Sequence, residues 1–176
     1  PFYLDLGFSK AEIASIVKAF GFSMTLAGAV LGGIFVVRFG LMRMMLTGAI
    51  MVALTNLLFA LMAELAPTRM LLAMVISADN LSAGVANVVF VAFLSNLVNK
   101  TYTATQYALF SSVMTLLGKF IGGFAGVVVD GFGYTMFFLY AAGIGIPAML
   151  LVFAVMRFEI FSDPDLPKVA SQILPN

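Results

Sequence analysis

Long apolar runs separated by short polar clusters set the rhythm of this chain. Residues 1–10, PFYLDLGFSK, form a mixed polar and aromatic lead-in, too short to span anything. Ser9-Lys10-Ala11-Glu12 then fits an S-x-x-E capping box, in which side chains satisfy the orphan amide donors of a helix start. From there the apolar pattern predicts helical spans over about 11–37, 44–63, 70–98, 104–129 and 134–158. At about 1.5 Å per residue, roughly 20 residues cross a ~30 Å hydrocarbon core, so each run is long enough.

The polar clusters fall where turns are needed. Arg38-Phe39-Gly40-Leu41-Met42-Arg43 is a tight basic turn. In Glu64-Leu65-Ala66-Pro67-Thr68-Arg69, Pro67 cannot continue a helix and Thr68 can cap the next. Asn99-Lys100-Thr101-Tyr102-Thr103 links the third and fourth spans, and Thr103-Ala104-Thr105-Gln106 reads as a second capping box. Asp130-Gly131-Phe132-Gly133 makes the last turn. Gly143, Gly145 and Pro147 suggest a kink in the fifth span. The final stretch, Glu159 to Asn176, contains three prolines and alternating charges and reads as a loosely ordered soluble tail.

Composition agrees with this pattern. The 176 residues are 62% hydrophobic and only 10% charged, whereas soluble domains run near 25% charged. The fold class is therefore all-α integral membrane, with five transmembrane helices. The expected organisation is an extracytoplasmic lead-in over 1–10, a transmembrane bundle over 11–158 and a cytoplasmic tail over 159–176. A net charge of +1 gives no basic surface for nucleic acid. Cysteine and histidine are both missing from the sequence, which removes disulfides, thiol nucleophiles and Cys/His zinc sites. No metal, cofactor or catalytic constellation is expected. The chain opens on Pro1 without a signal-peptide pattern and reads as part of a longer protein whose N-terminal portion is not included.

Orientation follows from basic residues in the short loops. Arg38, Arg43, Lys100, Arg157 and Lys168 fall on one side. Only Lys10 and Arg69 fall on the other. The first side is expected to be cytoplasmic.

Charges inside the spans are the main candidates for chemistry. Placing a charge at the bilayer centre costs roughly 2.5–3.5 kcal/mol on insertion scales, so such residues point to a transport or ion pathway. Asp79 lies about 14 Å from the outer end of its span, Lys119 about 17 Å and Lys18 about 11 Å, at about 1.5 Å per residue. An Asp79–Lys119 pair across neighbouring antiparallel helices is feasible and would lower the burial cost of both. Lysines that snorkel and an aspartate that merely pairs would give the same pattern. Asn80, Asn87, Asn56 and Gln106 are further candidates for polar contacts in a cavity or between helices.

Glycine patterns mark the moving parts. Gly33-Ile34-Phe35-Val36-Val37-Arg38-Phe39-Gly40-Leu41-Met42-Arg43 matches a G-x-x-x-D-R-x-G-x-x-R turn, except that Val37 occupies the acidic position. An ordinary positive-inside turn would look similar. Gly126-Val127-Val128-Val129-Asp130-Gly131-Phe132-Gly133 echoes the pattern with Asp130 in place, or is a glycine-rich turn with a capping aspartate. Gly118, Gly122 and Gly126 form a small-residue stripe suited to close helix packing.

The turn resembles that of the major facilitator superfamily. The lead-in Pro1–Ala14, Asp79-Asn80-Leu81 with Gly84, and above all Thr103-Ala104-Thr105-Gln106-Tyr107-Ala108-Leu109-Phe110-Ser111-Ser112 resemble the AmpG-type muropeptide permeases of that superfamily, which sit beside the acetyl-CoA transporters. The resemblance covers nearly all of 1–158. It implies that the spans are helices eight to twelve of the family fold, most of the C-terminal half of its bundle. It also implies proton-coupled import of anhydro-muropeptides, cell-wall recycling products, across the bacterial inner membrane by alternating access. The expected partners are then muropeptide substrate, protons, the lipid bilayer and the N-terminal half of the same chain. An acetyl-CoA or other organic-anion carrier of the same superfamily, and a membrane assembly subunit without transport, stay open as alternatives. Asp79 and Lys119 are the sequence's own candidates for the substrate or proton pathway, and no family binding residue is carried over.

Overall fold

The computed structural model describes residues 1–66, 68–97 and 103–157, and all its regular elements are helical. A single turn, α1 (Phe2–Asp5), leads into α2 (Lys10–Ile16), and a π-helical turn (Val17–Gly21) carries α2 into α3 (Phe22–Phe39). Then follow α4 (Leu41–Glu64), α5 (Arg69–Leu97), α6 (Thr103–Gly123) and α7 (Ala125–Arg157). Among the described residues, four helical stretches are long and apolar enough to cross a membrane: Lys10–Phe39, Leu41–Glu64, Arg69–Leu97 and Ala125–Arg157.

Local sequence rules account for most of the helix ends. Ser9 Oγ accepts the Glu12 amide at 3.2 Å, and Glu12 Oε2 accepts the Ser9 amide at 2.9 Å, so the expected capping box is formed in full. Thr68 Oγ1 accepts the Leu71 amide at 3.2 Å and caps α5 as anticipated. Gly40 joins α3 to α4 with φ 88 and ψ 152, a conformation from which a Cβ would be sterically excluded. The link over 98–102, the role of Pro67 and the tail beyond Arg157 lie outside the described residues, as does the side chain of Thr103.

The fourth run differs from its expected form. Rather than extending to 129, α6 ends at Gly123, and Phe124 interrupts the helix before α7 begins at Ala125. Gly122 and Gly123 explain the break, since adjacent glycines remove about 1 kcal/mol each of helix preference. Polar Gln106, Ser111, Ser112 and Lys119 also dilute the apolar pattern of α6, which is not among the four long apolar stretches. In α7 the non-helical residue is Gly133, at φ 80 and ψ 172, rather than a position in the Gly143–Pro147 stretch.

Two apolar clusters hold the bundle. At the lead-in end, Phe8, Phe59, Met62, Leu72, Val75 and Ile76 are buried together. Aromatic rings extend this cluster: Phe59 stacks on Phe138 at 5.0 Å, and Phe2 meets Phe138 edge-on at 4.9 Å. Toward the Gly40 end, Met44, Val85 and Val89 form the second cluster, with Phe35, Val36 and Met51 against it. Helices α3 and α5 cross almost backbone to backbone. A Cβ on Gly28 would lie 2.2 Å from the Leu81 carbonyl oxygen, and one on Gly84 would lie 2.3 Å from that of Thr25. Only glycine at both positions permits this approach. Helix α4 packs on both α5 and α7, whereas α6 has slight contact with α5 and α7 and none of its described side chains is buried.

Candidate functional site

A polar belt separates the two apolar clusters. Along α5, Ile76 belongs to the lead-in cluster and Val85 to the other, while Asp79, Asn80 and Ser82 lie between them. Asp79 is half-buried. Its carboxylate oxygen Oδ1 lies 3.3 Å from the hydroxyl of Thr55 on α4, which is 3% exposed. That hydroxyl has one proton and two acceptors in reach, the other being the Val52 carbonyl at 2.9 Å. Thr55 therefore divides its donor between its own helix and the carboxylate.

Asn80 faces the other neighbour. Its Nδ2 donates to the Ile76 carbonyl at 2.8 Å, and its Oδ1 accepts from Thr25 Oγ1 at 3.1 Å. The Thr25 hydroxyl also reaches the Gly21 carbonyl at 2.9 Å. The Asn80 amide lies against Gly21, where a Cβ would be 3.5 Å away in ordinary contact. Gly21 closes the π-helical turn, a feature that recurs at functional sites because it widens the helix locally. Ser82 Oγ donates to the Ala78 carbonyl at 2.8 Å, and among the described residues no buried side-chain polar atom lacks a partner.

The lead-in reaches this belt from the end of the bundle. Tyr3 packs against Phe59 and the lead-in cluster, and burial together with the nearby Asp79 carboxylate pushes its phenol up to about 12. Tyr3 is thus a neutral hydroxyl over the whole physiological range. Polar contacts tie the same end together: Tyr134 donates to Asp5, Thr135 Oγ1 donates to Glu64 Oε1 at 2.6 Å, and Arg69 pairs with Glu12 at 2.5 Å.

The remaining sequence candidates sit apart from the belt. Lys119 is exposed on α6 and forms no ion pair with Asp79; among the described residues the ion pair is Arg69–Glu12. Lys18 lies within the π-helical turn with its side chain exposed. Asn87 is exposed on α5, Gln106 is half-buried on α6, and Asn56 donates to its own helix at the Val52 carbonyl, 2.9 Å away. Nothing lies within 4 Å of a Cβ built on Gly118, Gly122 or Gly126, so no partner covers that stripe among the described residues. At the basic turn, Gly33 lies on α3 beside Val88, Val37 is 89% exposed, the Arg38 guanidinium sits 5.7 Å over the Phe39 ring, and Arg43 is exposed in the first turn of α4.

Thr55 and Thr25 complete the belt, and Tyr3 adjoins it; none of the three stands out as a site residue in the sequence. The available signal was their chemistry. Thr25 and Thr55 are hydroxyls inside otherwise apolar runs, and a hydroxyl in hydrocarbon seeks a partner on a neighbouring helix.

Comparison with known proteins places the chain in a family. A model of the Major Facilitator Superfamily matches residues 1–174. A protein of Rickettsia conorii, provisionally named transporter AmpG 4, is 35% identical over 152 residues, covering 86% of this chain and 37% of that protein. The anhydromuropeptide permease of Escherichia coli K12 is 29% identical over 147 residues, 84% of this chain and 30% of its own length. The chain therefore spans well under half the length of these relatives. Matched by the family model over nearly its whole length and built of long apolar helices, the chain belongs to the Major Facilitator Superfamily, as a multi-pass inner-membrane protein of a transporter family and not an enzyme.

Proposed function

We propose that this chain forms most of the C-terminal half of a proton-coupled importer of anhydro-muropeptides that works by alternating access. The 1–10 lead-in faces outward, the five helical runs between 11 and 158 are its spans, and the Gly40 turn faces the cytoplasm. The Arg38/Arg43 turn, with Gly33 and Gly40, acts as a conformational element, and the Gly118/Gly122/Gly126 stripe is a packing face. The name of the Escherichia coli relative supports the substrate class.

The observation that carries the coupling role is the setting of Asp79. This carboxylate lies between two apolar clusters, with a neutral hydroxyl from Thr55 as its hydrogen-bond partner and no cation paired with it among the described residues. A carboxylate with no fixed counter-charge is suited to binding and releasing a proton during a transport cycle. Asn80, held by Thr25 against the π-helical turn, links α5 to α3 and is placed to relay a change at Asp79. Lys119, exposed and unpaired with Asp79, takes the role of contacting an anionic substrate group such as a peptide carboxylate, with Gln106, Asn87 and Lys18 as secondary polar contacts.

The test is uptake by the full-length protein in proteoliposomes. An imposed inward proton gradient should drive accumulation of labelled anhydro-muropeptide, and unlabelled anhydro-muropeptide should compete while coenzyme A esters do not. Uptake indifferent to collapse of the gradient would remove the coupling. Equal competition by coenzyme A esters would favour an organic-anion carrier.

A further inference from the structure

A cavity of about 490 Å³ opens between α3, α4 and α5 at the Gly40 end of the bundle. Its wall is built from Leu31, Phe35 and Phe39 of α3, Met44 and Met51 of α4, and Val85 of α5. Two polar side chains, Arg43 and Thr47, line it as well. Leu31, Phe35 and Phe39 repeat every fourth residue and so form one stripe about 12 Å long at about 1.5 Å per residue. Thr47 is occupied by its own helix, donating to the Arg43 carbonyl at 2.9 Å. Among the described residues lining the space, Arg43 is the charged one, and Arg38 stands near the same mouth over the Phe39 ring.

This lining is wrong for a sugar–peptide. Such a ligand carries many hydroxyl and amide groups, each costly to leave unpaired in an apolar site. Asp79 does not line the cavity, and it sits about 200° round α5 from the lining residue Leu81 at 3.6 residues per turn. The cavity and the polar belt are separate features. What the wall does match is a hydrocarbon chain with an anionic group at one end. A narrow apolar stripe takes the chain, and arginine at the mouth takes the phosphate, which its planar fork binds well. The Lys/Arg asymmetry of the loops places this mouth at the cytoplasmic face, where anionic lipids gather.

We propose that this cavity is a binding site for an anionic phospholipid of the cytoplasmic leaflet, with an acyl chain along Leu31, Phe35 and Phe39 and the phosphate at Arg43 and Arg38. The site lies against the Gly40 turn, so lipid bound there braces the α3–α4 junction.

Mass spectrometry of the full-length protein released from nanodiscs of mixed dioleoyl phosphatidylglycerol and dioleoyl phosphatidylcholine tests this. The wild type should retain phosphatidylglycerol preferentially. Arg43→Gln should reduce that preference roughly fivefold, and Arg38→Gln with Arg43→Gln about thirtyfold, as each basic group near the surface contributes a similar factor. Both arginines are exposed, so these variants are expected to fold. Leu31→Trp keeps both arginines and fills the groove, and it should lose retention while eluting as a single species on size exclusion. A photoactivatable group in the phosphatidylglycerol acyl chain should label Phe35 or Met51. Equal retention of the two lipids by the wild type would overturn the proposal. So would crosslinking from the groove to another segment of the protein in place of lipid.

Discussion

Helices α5 and α6 each carry a charge inside an apolar run, yet the molecule treats them in opposite ways. Around Asp79, α5 is packed on two sides, with Gly84 against Gly28 of α3 and Thr55 of α4 on the carboxylate. Around Lys119, none of the described side chains of α6 is buried, and among the described residues nothing lies within 4 Å of a Cβ on Gly118 or Gly122. A carboxylate is short and must bring its partner to it through the fold. A lysine has a long stem and places its ammonium away from its backbone. The charge built into the framework is the aspartate, whereas the lysine is exposed on α6 and is the one proposed to meet a ligand.

Four substitutions sharpen this contrast. The largest effect is expected at the α3–α5 crossing. In Gly28→Ala the added methyl must displace the Leu81 carbonyl, which it would approach to 2.2 Å. The cost is about 2 kcal/mol or more, read as a lower unfolding temperature of the purified protein. The matching Gly122→Ala on α6 meets no neighbour and should be neutral or stabilising by about 0.5 kcal/mol, since alanine is the better helix former. A destabilised Gly122→Ala would show the stripe to be covered in the full-length protein. Next, Thr55→Val keeps the shape and removes the hydroxyl from Asp79, costing about 1–2 kcal/mol in the same measurement. Smallest in stability is Lys119→Ala, within about 0.5 kcal/mol of wild type. Its effect should instead appear as a higher KM for substrate uptake, with maximal rate less changed. An unaltered KM would remove Lys119 from the substrate path.

Features set within a few residues were legible in the sequence. The Ser9–Glu12 capping box, the Thr68 cap and the Gly40 turn are local, and each formed as read. Depth along a helix was also within reach, and it marked Asp79, Lys119 and Lys18 as charges inside apolar runs, of which Asp79 is half-buried and the two lysines are exposed. Depth is an axial coordinate only. It says nothing of which way a side chain points or which helix stands beside it, so pairing Asp79 with Lys119 was an inference beyond its reach. The α3–α5 crossing was not legible, because matching Gly28 to its counterpart Gly84 requires the register between two helices, with the two glycines 56 residues apart in sequence. The π-helical turn at Val17–Gly21 has no composition cue, since its residues suit an ordinary helix equally well. The end of α6 at Gly123 was hidden because apolar residues continue on both sides of the break.

The role of Asp79 can be separated from every other part of the mechanism by one substitution. In proteoliposomes holding the full-length protein, Asp79→Asn should abolish accumulation driven by a proton gradient, while exchange of labelled for unlabelled anhydro-muropeptide in the absence of a gradient persists. Gradient-driven accumulation at the wild-type level in Asp79→Asn would contradict the account.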